Sequence, residues 1–440
     1  MGRKRAAARR GRGRHHLAQR RTASARKKGR GKGSFRALDR LGKIPGVGAL
    51  RSLIDARLGE LRVTVRRNLA AVSVAVMCTL GSVRSGNGKL SLSALARCLP
   101  TEGVQKTRYK RLGRFLDNKH FCPEGMIPAL VGLVVGSGRR RKRNGDRLVP
   151  ILVDQADIGG TPTIMAGVVH RGRVLPIGFT CVEYPTMRRS LNTIETALLT
   201  LIVASLPRGV QAIFTADRAY GRYQLICALN ALGQRYILRC KDKVTLWHEG
   251  KNRFPKDFTA PWDTPVRYAN VRYRQHGKEP VDLIVYRGSS FKETWYLLVP
   301  AGSEKTLPTR QVVEIYRSRM RIEQGFRDWK THLGVRGLKL ESNRAVRMGR
   351  LLLALALAYI CLLLLGSHES VQTQRLRFET LRRKPRHGTR RTLSVLSHAM
   401  LFLAAPDLAT QAASLLLRIL TALTRGEPAY QDELALEAAA

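Results

Sequence analysis

Acidic residues are scarce in this sequence. Asp and Glu together number 31 against 79 Lys and Arg in 440 residues, so the formal net charge is +48 at pH 7. Such an excess repels itself in a compact protein and requires a polyanionic partner. Nucleic acid is the expected one, because bound Lys and Arg release counterions condensed on the phosphates. The 44% hydrophobic content disfavours a small ribosomal or chromatin-type protein. It favours a folded enzyme with basic surfaces.

Cysteine pairs, a signal sequence and a long hydrophobic run are also missing. The seven cysteines are scattered, with no CxxC pair, which argues against a disulfide framework or zinc site and indicates a reducing cytoplasm. The basic N-terminus has no apolar segment typical of a secretory signal. The apolar run at 351–366 is shorter than the ~20 residues that span a bilayer. It predicts a helix buried in protein, and no membrane association is expected.

Composition and periodicity divide the chain into six expected segments. The first is rich in Arg, Lys, Gly and Ala and cannot bury enough apolar surface to fold. It predicts a disordered basic tail that contacts phosphates, with a simple solubility tail as the alternative. The expected segments are the tail at 1–45, a helical DNA-binding domain at 46–146, the first part of an α+β core at 147–241, a β-rich insertion at 242–306, the second part of the core at 307–370 and a C-terminal helical region at 371–440.

One face of a predicted helix in the N-terminal domain is basic. In KTRYKRLGRFLDN, Lys106, Lys110 and Arg114 recur every four residues, the spacing that aligns side chains on one helix face. A charged helix face is often only solvated. In so basic a chain, the pattern predicts contacts between these three side chains and DNA.

Two aspartates end apolar segments that read as strands. Asp154 closes LVPILVD, and Asp217 closes VQAIFTAD. Two carboxylates on neighbouring strands provide the oxygen ligands that Mg²⁺ prefers. Strand-ending Asp residues often only cap a turn, which is the alternative here. Asp157 is a rival first ligand, ranked lower because it falls beyond the expected strand end.

A predicted helix from residue 309 brings further polar residues together. At about 100° per residue, Tyr316, Arg319, Glu323 and Lys330 share an arc of ~60°. The alternative is a salt-bridged face in which Glu323 pairs with Arg319 and Arg327. The adjoining arc predicts a buried stripe of Ile315, Ile322, Phe326 and Trp329. The arc expected to face solvent holds Arg317, Arg321, Gln324 and Asp328.

The spacing Tyr-x2-Arg-x3-Glu-x6-Lys in this helix resembles the signature of DDE transposases of the insertion-sequence-four group. PILVDQADI resembles the segment with that family's first catalytic Asp, and FTADRAYG the segment with its second. The resemblance runs from about residue 50 to 370. It is closest to the cut-and-paste subgroup, which has a compact N-terminal domain and a β-rich insertion before the Glu.

The resemblance implies a role for each matching residue. Asp154, Asp217 and Glu323 would be the catalytic triad and hold two Mg²⁺ ions, with Mn²⁺ as a substitute, on a ribonuclease-H-like core. The phosphates beside the scissile bond would be bound by Tyr316, Arg319 and Lys330. Trp295, on the insertion, matches a Trp that stacks on a flipped base in members that cut through a hairpin. Its alternative role is a core Trp on a strand.

The sequence therefore predicts a DNA transposase that binds transposon ends, cleaves the strands and joins the 3′ ends to target DNA. Its expected partner is double-stranded DNA, bound by a dimer on paired ends, in the nucleoid of the cytoplasm. Two alternatives remain: a DNA nuclease of the same fold that cuts without joining, and a non-catalytic DNA-binding protein derived from a transposase.

Overall fold

The computed structural model describes residues 45–82, 90–136, 147–183, 190–273, 279–338, 340, 345–385 and 389–429. The expected basic tail lies outside these residues apart from its last position, and the end of the C-terminal region lies outside them too. The structure is a mixed α/β fold.

Helices cover most of the described residues between 45 and 134, as the apolar periodicity predicts. Ser91 begins one of them, because its hydroxyl accepts a hydrogen bond from the Ala94 amide at 3.1 Å. Their buried faces join the same apolar core as the sheet. The helices are Pro45–Arg57, Val63–Ser82, Leu92–Cys98, Gln105–Leu116 and Ile127–Val134, with a 3-10 turn at Glu124–Met126.

The described strands form one ten-stranded sheet in the order β3-β2-β1-β4-β5-β10-β9-β8-β6-β7. Only the β1–β4 and β4–β5 pairs are parallel among the strand pairs of this sheet. The strands are β1 Arg147–Ile158, β2 Thr161–His170, β3 Arg173–Cys181, β4 Val210–Ala216, β5 Arg235–Arg239, β6 Leu246–His248, β7 Lys251–Arg253, β8 Val266–Tyr273, β9 Pro280–Tyr286 and β10 Trp295–Pro300.

Local sequence signals account for the first part of the sheet. The β2–β3 hairpin turns at Arg171 and Gly172, both with positive φ, as predicted. The helix Leu191–Ser205, expected from the apolar pattern, leads from β3 to β4, and its predicted N-cap Ser190 accepts from the Thr193 amide at 3.2 Å. The helix Tyr223–Ala231 connects β4 to β5.

The β1 strand is longer than the sequence analysis predicted. It continues past Asp154 to Ile158 and pairs with β2, so Asp154 is not its last residue and Asp157 lies within it. The cause is a tight turn at Gly159 and Gly160, both with positive φ, which folds β2 back onto β1. That Gly-Gly signal was overlooked.

The strands of the expected β-rich insertion do not form a separate sheet. β10 pairs antiparallel with β5, Leu297 opposite Arg239, and β9, β8, β6 and β7 extend the sheet from there. The domain boundaries and the ribonuclease-H-like assignment of the core stay predictions.

Two described helices, Val63–Leu80 and Ala345–Ser367, are long and apolar enough to cross a membrane, and the bent pair Val395–Ala404 and Pro406–Arg425 would make a third. In Ala345–Ser367, which contains the apolar run at 351–366, 94% of the most apolar window is buried inside the protein. The helix packs on β3 and on Val63–Ser82. The prediction of a helix buried in protein is therefore confirmed.

After helix Ala345–Ser367, the chain forms the helices Glu369–Gln372, Arg375–Phe378, Val395–Ala404 and Ala409–Arg425.

Candidate active site

The two strand aspartates lie side by side in the sheet. Parallel pairing of β1 with β4 sets Val153 opposite Ala216. The next residue is an aspartate in each segment, Asp154 within β1 and Asp217 directly after the end of β4. Asp154 Oδ1 accepts from the Gln155 amide and Asp217 Oδ1 from the Ala219 amide, each at 2.8 Å. The parallel register therefore places the two predicted carboxylates at the same height along the two neighbouring strands.

Asp154 is the more buried of the two acidic groups that Arg319 contacts, with 15% of its side chain exposed against 47% for Glu323. Burial raises the pKa of Asp154 to about 6, and the negative charges of Asp217 and Glu323 raise it as well. Removing solvent from a carboxylate disfavours its charged form, and nearby like charges add to that effect. The three carboxylates therefore interact electrostatically.

Arg319 bridges the strand and helix carboxylates. Its Nη1 lies 3.4 Å from Asp154 Oδ2, and its Nη2 donates to Glu323 Oε1 at 2.9 Å. Glu323 lies on helix Met320–Arg327, directly after helix Thr309–Ser318, and we call these two segments together the Glu323 helix. The guanidinium is a cation between carboxylates, so the Arg319–Glu323 pair of the alternative interpretation is present. Arg319 is therefore part of the carboxylate cluster.

The donor chemistry of this cluster suits a hard divalent cation. Its ligands would be carboxylate oxygens. Burial above all, and then the negative charges of Asp217 and Glu323, raise the pKa of Asp154, and bound positive charge would favour its charged form. As placed, no group of three His, Cys, Asp or Glu side chains in the described ranges is close enough to hold a metal ion. Arg319 supplies the positive charge in this arrangement.

Tyr316 and Trp295 are both buried. Tyr316 is 3% exposed and Trp295 is 7% exposed. The centroid of the Trp295 ring lies 5.0 Å from that of Tyr316 and 4.2 Å from that of Phe291, within an apolar cluster that also includes residues of β1, β4, β5 and helix Thr309–Ser318. The Trp295 ring is thus packed rather than presented to a base, which favours its alternative role as a core residue.

Lys330 lies in a π-helical turn and not in the α-helix that the sequence predicted. A π-helical turn at Asp328–His332 interrupts the 100° spacing, and Lys330 lines a cavity of about 560 Å³ with Asp157 and Arg336. Asp328, at the start of this turn, is 1% exposed although the wheel placed it on the solvent arc, because Tyr359 and Arg173 pack against it. The expected buried stripe is confirmed, because Ile315, Ile322, Phe326 and Trp329 are all at most 5% exposed.

The basic face of the N-terminal domain lies on helix Gln105–Leu116. Lys106, Lys110 and Arg114 are all exposed, while the opposite side of the helix buries Leu112 and Phe115. The helix thus presents three cations to solvent, as the spacing predicted. Their contact with DNA stays a prediction.

The sequence analysis missed a charged network beside the carboxylates. Arg239, at the end of β5, donates to Glu293 at 2.5 Å, and Arg218, which follows Asp217, lies 3.9 Å from the same carboxylate. The Arg239 side chain also contacts Tyr316. Only the position of Arg218 beside Asp217 was readable from the sequence.

Tyr220 also belongs to the site. Its ring is 2% exposed, and its hydroxyl has no hydrogen-bond partner among the described residues. Burial raises its pKa, and so do the charges of Asp154 and Asp217. The phenol therefore lies within electrostatic range of both aspartates.

Residues 179–359 match the family model described as the transposase DDE domain. The matched segment is less than half of the chain. It includes Asp217 and Glu323, whereas Asp154 precedes it.

No curated protein matches the chain. Among solved structures, the cryo-EM structure of a piggyBac transposase synaptic complex with hairpin DNA is similar over 89% of this chain and 81% of that chain, with a TM-score of 0.41 and 10% sequence identity. The family match over residues 179–359 supports a DDE transposase.

Proposed function

We propose that this protein is a DNA transposase that cleaves transposon ends and joins them to target DNA, with Asp154, Asp217 and Glu323 as its metal ligands. The observation that carries the proposal is the register of the parallel strands β1 and β4, which sets Asp154 and Asp217 beside each other. Glu323 is linked to Asp154 through Arg319. The transposase DDE domain match over 179–359 supports it. The finer placement in the insertion-sequence-four group, on a ribonuclease-H-like core, rests on the Tyr-Arg-Glu-Lys spacing.

Mg²⁺ is the proposed cofactor, as two ions, with Mn²⁺ as a substitute. Such ions activate the attacking oxygen and stabilise the leaving oxygen of phosphoryl transfer. The three carboxylates would supply the ligands, and holding a shared ion requires them to lie closer together than they do as placed in the described ranges. Arg319, once released from Asp154 and Glu323, is suited to bidentate contact with a phosphate. Lys330 and Arg336, beside the cavity of about 560 Å³, attract the DNA backbone.

The proposed partner is double-stranded DNA, bound by a dimer that pairs two ends. The net charge of +48 supports it, and so do the exposed cations Lys106, Lys110 and Arg114. Such charges neutralise phosphates whatever the base sequence. Tyr316 is the least accessible of the proposed phosphate contacts, because it is 3% exposed. Its hydroxyl therefore acts through Arg239, which it contacts.

The test is nicking of supercoiled plasmid by the full-length protein with Mg²⁺ and with EDTA. We expect Asp154→Ala, Asp217→Ala and Glu323→Ala each to abolish nicking and to keep DNA affinity within a few-fold, because ligand loss removes chemistry rather than phosphate contacts. Asp157→Ala is the matched control: it removes an exposed carboxylate of the same strand, bonded only to the Gly160 amide among the described contacts. It should nick normally.

The outcomes separate the alternatives. Nicking that survives in EDTA contradicts metal-dependent chemistry, and normal nicking by a triad variant removes that residue from the triad. DNA binding without any nicking indicates the non-catalytic DNA-binding protein. Cleavage of end-labelled duplex without joined products in a strand-transfer assay indicates a nuclease of the same fold.

A further inference from the structure

A strongly basic segment lies in the C-terminal region, between helices Arg375–Phe378 and Val395–Ala404. Its described parts are residues 380–385 and 389–392, and we call these residues the basic loop. They include no acidic residue. They include five cations, of which the first is half-buried and the others are exposed: Arg382, Arg383, Lys384, Arg390 and Arg391. Because like charges repel one another, holding these side chains together is unfavourable unless an anion binds to them.

A buried ion pair holds the two ends of the basic loop together. The side chains of Arg375 and Glu379 are 7% and 1% exposed, and Arg375 Nε donates to Glu379 Oε1 at 2.7 Å. Glu379 Oε2 also accepts from the backbone amides of Thr392 and Leu393, at 2.9 and 2.8 Å. Arg375 Nη2 donates to the Leu393 carbonyl oxygen at 2.6 Å. These contacts, which we call the Glu379 clamp, fix the residue before the loop to the residues at its end.

The negative charge of Glu379 is compensated within the clamp. Burial disfavours the charged carboxylate, but the hydrogen bonds from Arg375, Leu393 and Thr392 outweigh this effect and lower the pKa of Glu379 to about 2. The carboxylate is therefore charged at neutral pH, and it stabilises the buried charge of Arg375. The exposed cations of the basic loop are left for an anion outside the protein.

Hydrogen bonds also join the two sides of the loop. The Arg382 amide donates to the Arg390 carbonyl oxygen at 2.8 Å, and Arg390 Nε donates to the Arg382 carbonyl oxygen at 2.8 Å. Arg382 Nη1 donates to the carbonyl oxygen of Arg391. The clamp and these bonds hold the two sides next to each other against the repulsion between their side chains. The loop is thus a preformed cationic surface.

We infer that the basic loop binds the phosphates of duplex DNA of any base sequence, and that the Glu379 clamp holds the loop in the shape that binds them. The inference rests on the proposed function only in taking DNA as the partner. Four of the five cations are arginines, whose planar guanidinium suits bidentate contact with a phosphate. Duplex DNA carries one negative charge per ~1.7 Å of its axis, so it matches cations held close together. The transposase family match favours DNA over an anionic membrane as the partner.

The experiment measures binding of a fluorescein-labelled duplex of random sequence to full-length protein in EDTA, across a series of salt concentrations. We expect Arg383→Gln combined with Lys384→Gln to weaken binding and to reduce the slope of log affinity against log salt by ~1.8, because each lost phosphate contact reduces it by ~0.9. Arg418→Gln combined with Arg425→Gln is the matched control. It removes the same charge from exposed positions of helix Ala409–Arg425, and it should leave the slope at the wild-type value.

Glu379→Gln tests the clamp, and its expected effect is opposite to that of net charge. Removing a negative charge by itself strengthens binding to a polyanion. We expect the variant to bind the duplex several-fold more weakly than wild type, because an amide cannot hold Arg375 and two backbone amides as a carboxylate does. Arg375→Lys keeps the net charge but loses the paired contacts, and it should weaken binding in the same direction. Circular dichroism and thermal melting identify which of the two variants is folded.

Three results would overturn the inference. They are equal slopes for the loop double variant and its control, duplex affinity at or above the wild-type value in a folded clamp variant, and a larger loss of binding to phosphatidylglycerol vesicles than to duplex in the loop double variant. Because EDTA stops metal-dependent cleavage, the proposed function is tested separately. Expected slopes without plasmid nicking in Mg²⁺ contradict only the proposed function, and triad-dependent nicking with an unchanged slope contradicts only the role of the loop.

Discussion

Arg319 and Asp154, 165 residues apart in the chain, form an ion pair with 3.4 Å between Nη1 and Oδ2. The same guanidinium donates to Glu323, so two proposed metal ligands share one protein cation. A divalent ion and a guanidinium compete for the same oxygens, because each compensates the same negative charge. If these carboxylates hold a metal ion as proposed, we expect its binding to displace Arg319.

We expect Arg319→Gln to raise the Mg²⁺-induced increase in melting temperature above that of the wild-type protein. In the variant, Mg²⁺ would meet carboxylates with no cation to displace, and a ligand that binds only the folded state stabilises it in proportion to its affinity. Differential scanning fluorimetry across a Mg²⁺ titration measures this increase.

Arg321→Gln is the control for that titration, because Arg321 is an exposed arginine of the same helix. Its response to Mg²⁺ should match the wild-type response. An Arg319→Gln increase equal to or smaller than that of the wild-type protein means that Arg319 need not leave for metal to bind.

We expect Asp154→Asn to stabilise the metal-free protein at neutral pH. The folded-state pKa of Asp154 is about 6 against an ordinary 3.8, so the native state binds more protons than the unfolded state between these values. The stabilising contribution is fully present below pH ~4 and is lost as pH rises through ~6. At pH 7 to 8, Asn avoids the buried charge and should raise the free energy of unfolding by roughly 2–3 kcal/mol.

Urea unfolding in EDTA from pH 4 to 8 tests this dependence. The difference between Asp154→Asn and wild type should grow with pH and level off above pH ~6. Asp157→Asn, in an exposed position of the same strand, should show no such growth. A variant that is less stable than wild type at pH 8 contradicts the cause assigned to the raised pKa.

The sequence predicted the parts of the site that depend on local pattern. Asp154 and Asp217 follow apolar runs that form adjacent strands, and Glu323 lies on an amphipathic helix. The hydrophobic periodicity therefore predicted the two strands and the helix that carry these residues. The environment of Trp295 was not, because its ring packs against Phe291 and Tyr316 from separate segments. The burial of Asp328 was not predicted either, because its partners Tyr359 and Arg173 come from separate segments.

We expect Trp295→Ala to destabilise the protein rather than to remove a base contact. The ring is 7% exposed and packs in an aromatic cluster, and truncating a buried Trp costs ~3–5 kcal/mol. Trp262→Ala, at an exposed ring, should change the free energy of unfolding by less than ~0.5 kcal/mol. Urea unfolding of both variants gives the comparison. Full stability of Trp295→Ala would contradict the role of its ring in the core.

The last prediction concerns the buried carboxylate after the Glu323 helix. Asp328 accepts from the Tyr359 hydroxyl at 2.8 Å and pairs with Arg173 Nε at 3.4 Å, so it ties the helix that carries Glu323 to β3 and to helix Ala345–Ser367. Burial raises its pKa, and the positive charge of Arg173 lowers it. Asp328→Ala would leave Arg173 without this partner and the Tyr359 hydroxyl unsatisfied, a loss of ~3–5 kcal/mol.

Two variants distinguish an effect of Asp328 on the position of Glu323 from an effect on folding stability alone. Tyr359→Phe removes one hydrogen bond to Asp328 and should cost only about 1–2 kcal/mol, so the protein stays folded while the helix anchor weakens. We expect its plasmid-nicking kcat to fall several-fold with KM for DNA unchanged, because a shift of Glu323 alters the metal site and leaves the phosphate-binding cations in place. Glu314→Gln, which removes an exposed carboxylate of the same helix, should leave both constants at the wild-type values. If Tyr359→Phe loses stability but keeps full kcat, Asp328 supports the fold and does not position Glu323.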